Sequence, residues 1–285
     1  MITAAKVREL RDMTGAGMMD CKKALESSGG DLESAIDYLR KAGLKSAAKK
    51  ADRATSEGRV VAVIDPSGKR GHLLAVACET DFLSKGKNFQ ALLEDLARVI
   101  QDCDPDGIDS GDRPLLKQGR TRGEGTVTEL LQEAVSQMGE NIQLVDFARF
   151  ENPAGVIGAY VHHDGKQAAM ASVTTTASVA KAAETIKALC QHIVVNRPEA
   201  ALRGEVTPEA IARERAIVLE GSDLAKKPAE IREKIVAGRM EKFFAGIVLA
   251  EQPWIHDDKR TVAKALEEAL GKGTSLVSFR RFKIG

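Results

Sequence analysis

The beginning of the chain has apolar positions that recur every three or four residues, which is the spacing of helices that bury one face. Thr3 is a suitable cap for a first helix, and Gly15 ends it. A pair of glycines ends the second helix, and Asp31 caps a third that ends near Gly43. Short amphipathic helices separated by glycine corners predict a compact three-helix bundle.

The segment that follows, residues 45–58, is rich in alanine and in basic residues and has no apolar stripe. This composition predicts an exposed linker with some helical character. A basic run of this kind is typical of a solvated face rather than of a binding surface.

Beyond the linker, the period of the apolar positions changes to that of strands and longer helices. Val60–Ile64 and Leu73–Cys78 predict two strands around a turn, because Asp, Pro and Gly lie between them. An amphipathic helix is predicted over Phe89–Ile100. Thr126 opens a second helix with a capping box, and Ile142–Phe150 predicts a third strand.

The same plan then repeats. Val156–Val161 and Ala168–Val173 predict a second strand pair, and Ser178 begins a long helix that reaches about Val195. The last strand, Ser275–Ile284, is expected to pair with this second sheet. The repeat is a similarity of pattern, not of residues, and it predicts a core of two similar halves.

An insertion interrupts the second half at about residues 205–240. Thr207 followed by Pro208 predicts a helix start. After a turn over 221–228, a second apolar-patterned helix returns over Ala229–Phe244. This is an antiparallel helical hairpin, and it or the core could support a homodimer.

The predicted fold is therefore of the α+β class. It has an N-terminal three-helix ubiquitin-associated-like bundle, then a core of two similar α+β halves with antiparallel sheets and the inserted hairpin. The predicted bounds are 1–44 for the bundle, 45–58 for the linker, 59–152 for the first half and 153–285 for the second half.

Composition and charge narrow the function. The chain has 285 residues with 42 basic and 41 acidic side chains, so it lacks the basic excess that is typical of nucleic-acid-binding proteins. Four scattered cysteines indicate reduced thiols in a cytosolic compartment. No apolar run is long enough for a membrane span, and no signal peptide is recognisable.

Catalytic motifs are missing from the sequence. There is no phosphate-binding glycine loop, no HExxH and no GxSxG. His162 and His163 could hold a metal, but neighbouring residues on a strand face opposite ways and no third ligand is suitably spaced. Cys21 lies beside lysines without a nearby histidine. We therefore expect no catalytic residue, no metal and no cofactor, and a binding function is the default.

One stretch stands out as a candidate binding site. The apolar run that ends at Cys78 is followed directly by a threonine and then by Asp81 and Phe82. From the residues alone, Phe82 would be a core residue at the corner of a sheet, because the few aromatic residues of a chain with 4% aromatics are normally buried in its core. By the same reasoning, Met18 and Met19 would belong to the core of the bundle.

Two segments together resemble bacterial elongation factor Ts. Thr14–Leu25 reads TGAGMMDCKKAL, and Cys78–Phe82 reads CETDF. Gly158–His162 and Phe279–Phe282 extend the resemblance towards the end of the chain. Leu83 stands where the family usually has valine.

The resemblance implies a guanine-nucleotide exchange factor of translation elongation that binds the GTPase elongation factor Tu, in the cytoplasm. In this family an Asp-Phe pair inserts beside the Mg²⁺ site of the GTPase, and the N-terminal domain docks on the nucleotide-binding domain. The implied partner-binding residues are Met18, Met19, Asp20, Lys22, Thr80, Asp81, Phe82, Leu83 and His162.

Two other functions fit the residues. The bundle could serve as a non-catalytic adaptor that binds another protein, with the core as its scaffold. A thiol enzyme that uses Cys21 or Cys78 is the more distant alternative.

Overall fold

The computed structural model describes residues 2–220 and 228–285. By the density of its internal contacts the chain divides into two compact units. One comprises Met1–Val63, Leu73–Arg149 and Lys283–Gly285, and the other comprises Ile64–His72 and Phe150–Phe282. The predicted domain bounds stay a prediction.

The first unit begins with the helical bundle. The hydroxyl of Thr3 accepts a hydrogen bond from the Lys6 N–H, and Gly15 ends the first helix in the left-handed region at φ +65°. Leu10, Cys21 and Leu25 are fully buried at its centre. The three helices are α1 (Ala4–Thr14), α2 (Met18–Ser27) and α3 (Leu32–Lys50).

The predicted end of α3 near Gly43 is wrong, because the helix continues to Lys50. Gly43 is a buried helical residue here, and a Cβ at this position would lie 3.4 Å from the Cβ of Ser136. The glycine thus allows two helices to approach each other closely. Residues 45–50 of the predicted linker are therefore helical, as the alanine content of this segment favours.

The rest of the first unit packs two long helices on a sheet of order β1-β2-β3. The Thr126 capping box is confirmed: its hydroxyl accepts from the Glu129 N–H, and its own N–H donates to the Glu129 carboxylate at 2.7 Å. The elements are β1 (Glu57–Ile64), β2 (Arg70–Cys78), α4 (Asp81–Lys85), α5 (Lys87–Cys103), α6 (Val127–Met138) and β3 (Ile142–Glu151).

In the second unit, β4 (Gly155–Val161) pairs antiparallel with β5 (Gln167–Thr174), with Val156 opposite Val173. Ser178 caps α7 (Val179–Asn196) through a hydrogen bond from the Lys181 N–H.

The helical hairpin consists of α8 (Pro208–Glu220) and α9 (Ala229–Ile247). The Thr207 hydroxyl accepts from the Ala210 N–H, which confirms the predicted cap. At its base, the Arg203 guanidinium binds the Glu241 and Glu251 carboxylates at 2.6–2.9 Å. The predicted turn over 221–228 lies almost entirely outside the described residues, and the homodimer stays a prediction.

The remainder of the second unit completes its sheet. The sheet has the order β4-β5-β8, so the prediction that the last strand joins it is confirmed. None of the helices in the described residues combines the length and apolar character that a membrane crossing requires. The last elements are β6 (Pro253–Trp254), β7 (Asp257–Thr261), α10 (Val262–Leu270) and β8 (Ser275–Lys283).

Candidate functional site

The corner after β2 is a short helix. The strand is buried along most of its length, and Thr80 caps the helix α4 that follows it. The Thr80 hydroxyl accepts the Leu83 N–H at 3.2 Å. A helix of five residues has no stability of its own, so the surrounding structure must hold it.

Glu140 provides the first of these contacts. One oxygen of its carboxylate accepts the Thr80 N–H at 2.9 Å, and the other accepts the Thr80 hydroxyl at 2.6 Å. Hydrogen bonds to a carboxylate are stronger than those between neutral groups. The backbone and the side chain of the capping residue are thus both fixed by one residue of the loop before β3.

A second pair of residues makes the reciprocal contact. The Asn141 N–H donates to the Glu79 carboxylate at 2.6 Å, and this hydrogen bond is the main cause that lowers the pKa of Glu79. The Asn141 amide also donates to the carbonyls of Ala51 and Arg53 at 3.1 and 2.8 Å. We call Glu79, Thr80, Glu140 and Asn141 the corner clamp.

The far end of α4 is also fixed. Gly86 ends α4 with its N–H bonded to the Leu83 carbonyl, and α5 begins at the next residue. The Gln90 amide donates to the Ser84 carbonyl at 2.8 Å. Phe89, in the first turn of α5, is fully buried. The short helix is therefore held at both ends.

Phe82 projects from this rigid corner into solvent. Its side chain is 86% exposed, more than any other large apolar residue that the structure describes. The alternative that Phe82 is a core residue is therefore wrong. Beside it, the Asp81 carboxylate accepts a hydrogen bond from Lys85 Nζ at 2.8 Å. The corner presents an aromatic ring and a carboxylate side by side.

The methionine pair lies at the start of α2. Met18 is 41% and Met19 73% exposed, whereas Cys21 on the same helix is fully buried. The alternative that the pair belongs to the core of the bundle is therefore also wrong. Asp20 and Lys22 are exposed next to them, so this end of α2 is a mixed apolar and charged surface.

His162 lies just after β4 and is half-buried. Its Nδ1 is 3.0 Å from the Tyr160 hydroxyl. The rings of His162 and His163 lie side by side with their centroids 4.2 Å apart, so the expectation that they face opposite ways is wrong. The reason is that β4 ends at Val161, and strand alternation no longer applies to the histidines.

The described residues give no support to a metal or thiol centre. No group of three or more potential metal ligands is present among them. Burial raises the pKa of the Cys78 thiol to about 11, and burial also raises the pKa values of Cys21, Cys103 and Cys190. These groups stay thiols at neutral pH, which is unfavourable for nucleophilic catalysis.

Comparison with known proteins identifies the family of the chain. A family model described as "Elongation factor TS" matches residues 79–285, which include the corner after β2. The chain belongs to the elongation factor Ts family. The match to that model starts within the corner clamp and does not reach α2, so the methionine pair needs other support.

Individual relatives cover this remaining part. Elongation factor Ts of Symbiobacterium thermophilum is 39% identical, with 99% of this chain and 90% of the relative covered. The proteins of the same name from Gluconobacter oxydans and Rhodospirillum rubrum are 38% and 40% identical, and each comparison spans 100% of this chain and 92% or 93% of the relative. The chain is thus similar over its whole length to translation elongation factors.

The sequence pattern did not reveal the corner clamp as a unit. Of its members only Thr80 was predicted as a site residue. Glu140 and Asn141 follow the glycine that ends α6 and read as ordinary loop residues. They lie about 60 positions from their partners in the sequence, and local periodicity carries no signal over that separation.

Replacing Glu140 with glutamine is expected to lower the free energy of unfolding by about 1–3 kcal/mol. The two Thr80 donors bond to different oxygens of the Glu140 carboxylate, and in the amide an NH₂ group replaces one of these oxygens. Urea denaturation measures this loss, and hydrogen exchange at the Leu83 amide reports the loosened cap. The control Glu94→Gln removes an exposed carboxylate that pairs with Arg98. Equal effects of both variants would contradict a specific role for the clamp.

Proposed function

We propose that this chain is the nucleotide exchange factor of the translational GTPase elongation factor Tu: it binds the GTPase and promotes the release of GDP. Membership of the elongation factor Ts family supports the assignment to translation. The observation that carries the proposal is Phe82, an exposed aromatic ring on a helix that is fixed at both ends.

An exchange factor must bind the nucleotide-free GTPase more tightly than the GDP-bound form, because equal affinity would shift no equilibrium. Linkage makes the effect reciprocal, so GDP weakens the binding of the factor to the same extent. Moving an equilibrium from 1:99 to 99:1 requires roughly 5.5 kcal/mol of differential binding. Burial of one phenylalanine contributes about 1.5–3 kcal/mol. Phe82 therefore needs a second contact.

The rigidity of the corner contributes to the free energy of binding to the GTPase. A flexible loop would lose conformational entropy when its aromatic residue enters the partner, and that loss would weaken binding. The corner clamp fixes the backbone of Thr80 before any partner arrives. The energy of inserting Phe82 is thus available for displacing groups of the GTPase.

Asp81 has a different role in the proposal. Its carboxylate pairs with Lys85 on the exposed side of α4, where an ion pair contributes little and can be exchanged. Beside the Mg²⁺ site of the GTPase, the carboxylate would compete for the hydrogen bonds that orient the ion's ligands. Loosening the ion in this way favours release of the nucleotide that it holds.

The second contact is the start of α2. We assign it the role of docking on the nucleotide-binding domain, with Met18 and Met19 as the apolar centre and Asp20 and Lys22 at the edge. Methionine suits such a surface because its unbranched side chain adapts to the partner. His162, in the other unit, is proposed as a further contact with the GTPase.

Replacing Met19 with alanine is expected to weaken binding to nucleotide-free elongation factor Tu by about tenfold. The reason is that alanine buries much less apolar surface in the complex than methionine does. Titration by calorimetry measures the affinity. Met13, on α1, is also exposed and provides the matched control Met13→Ala, which should leave the affinity unchanged. If both variants bind as the wild type does, the assignment of the dock is wrong.

The proposed function itself is tested by the release of a fluorescent GDP analogue from elongation factor Tu, with and without this protein. A large increase in the release rate is expected at substoichiometric amounts of the factor. An unchanged release rate with the correctly folded wild-type protein would refute the exchange function.

A further inference from the structure

The second unit contains a cavity that has no part in the proposed exchange function. It has a volume of about 490 Å³ and lies where the end of α7 meets β8. Three arginines line it, together with a serine and two glutamates: Arg197, Arg280, Arg281, Ser278, Glu199 and Glu205. The cavity is therefore predominantly cationic.

Arg281 lines this cavity and is partly buried. Its Nη2 donates to the side-chain carbonyl of Gln167 at 3.0 Å, which orients the guanidinium across the neighbouring strands β5 and β8. Its Nε is buried and has no acceptor among the described residues. A buried donor that lacks an acceptor is costly, and such groups are rare in native proteins.

Arg197 supplies a second positive charge. Its proximity and the burial of Arg281 both lower the pKa of Arg281, with burial as the larger cause. Neither guanidinium forms an ion pair with a carboxylate in the described part of the chain. Arg197 also holds a left-handed backbone conformation, at φ +50°, which is unusual for a residue with a side chain.

Neither of the two glutamates forms an ion pair with Arg197 or Arg281 in the described part of the chain. The Glu205 carboxylate accepts the Ala201 N–H at 2.8 Å, so it serves the local backbone. Glu199 is exposed. The Arg280 Nη1 donates a hydrogen bond to the Phe279 carbonyl at 2.9 Å. None of the three arginines thus has a carboxylate partner in the described part of the chain, and of the three only Arg281 has a buried Nε that lacks an acceptor.

We propose that this cavity binds a small phosphate-class oxyanion between Arg197 and Arg281. Guanidinium groups match the oxygens of phosphate in geometry and form short charge-assisted hydrogen bonds with them. The anion would supply the acceptor that the Arg281 Nε lacks. Its negative charge would also offset the electrostatic repulsion between the two arginines. The Ser278 hydroxyl, on the same strand as Arg281, can donate a further hydrogen bond.

Calorimetric titration of the full chain with inorganic phosphate, in a chloride buffer, tests the proposal. Saturable binding at one site is expected, and Arg281→Gln and Arg197→Gln should each weaken it by about tenfold or more, the effect of losing a hydrogen bond between charged groups. Arg122→Gln removes the same charge from an exposed loop and should leave the affinity unchanged. AMP, a larger phosphate monoester, shows whether the phosphate is part of a bigger ligand.

Acetate is the control for the class of anion and should bind more weakly than phosphate. Equal or tighter binding of acetate would overturn the phosphate assignment, and the absence of saturable phosphate binding would overturn the site. The unfolding temperature without phosphate separates a ligand site from a structural arginine. Arg281→Gln should keep or raise it, because the buried Nε that lacks an acceptor is removed; a fall would contradict the proposal.

Discussion

Replacing Phe82 with alanine is expected to reduce the acceleration of GDP release by about thirtyfold or more, the effect of removing an interface residue that is worth at least 2 kcal/mol. The side chain is 86% exposed and packs against little of its own protein. The variant should therefore unfold at the wild-type temperature. Release of a fluorescent GDP analogue measures the rate, and calorimetry measures the stability.

The control for this prediction is Val195→Ala, which truncates an exposed apolar residue at the end of α7. It should leave the exchange rate unchanged. Asp81→Ala should also lower the exchange rate if the carboxylate acts at the Mg²⁺ site. If both Phe82→Ala and Asp81→Ala accelerate release as the wild type does, the insertion of this pair is wrong, whereas membership of the family remains.

Replacing Phe89 with alanine is expected to lower the free energy of unfolding by about 3–5 kcal/mol, because a fully buried ring leaves a cavity that the core fills only in part. Phe89 packs in the main core of the first unit, in the first turn of α5. It lies three positions after Gly86, where α4 ends. Loss of the ring should therefore also loosen the corner that carries Phe82.

Chemical denaturation measures the stability of this variant, and Phe89→Leu is its matched control. Leucine keeps most of the apolar volume, so its cost should be about 1.5 kcal/mol or less. The contrast with Phe82→Ala separates the two phenylalanines. A loss of stability in Phe82→Ala similar to that in Phe89→Ala would mean that Phe82 belongs to the core after all.

Much of the fold follows from local sequence because its signals are local. Thr3, Asp31 and Thr126 cap helices as predicted, and Ser178 caps the helix that it is expected to begin. Each accepts a hydrogen bond from the backbone N–H three residues ahead. Such a cap depends only on a few neighbouring residues. The end of α3 was missed because glycine usually ends a helix, and only the approach of Ser136 shows why Gly43 continues it.

The candidate site also has features that the sequence predicts and features that only the folded chain shows. The order of a buried strand, a threonine and an Asp-Phe pair is visible in the sequence, and so is the resemblance to a family. The exposure of Phe82 is not, because a phenylalanine beside a strand is normally buried. The residues that hold the corner come from distant segments: Glu140 from before β3, and the carbonyls of Ala51 and Arg53 from after α3.

Local sequence is sufficient to predict the class of fold, most helix and strand positions and the family, because periodicity, caps and motifs are properties of neighbouring residues. Tertiary packing sets which apolar side chains are left in solvent and which distant polar groups meet. Burial and long-range hydrogen bonds depend on how the elements pack. For this reason the exposed Phe82, the clamp that holds it and the Arg281 Nε that lacks an acceptor are visible only in the folded chain.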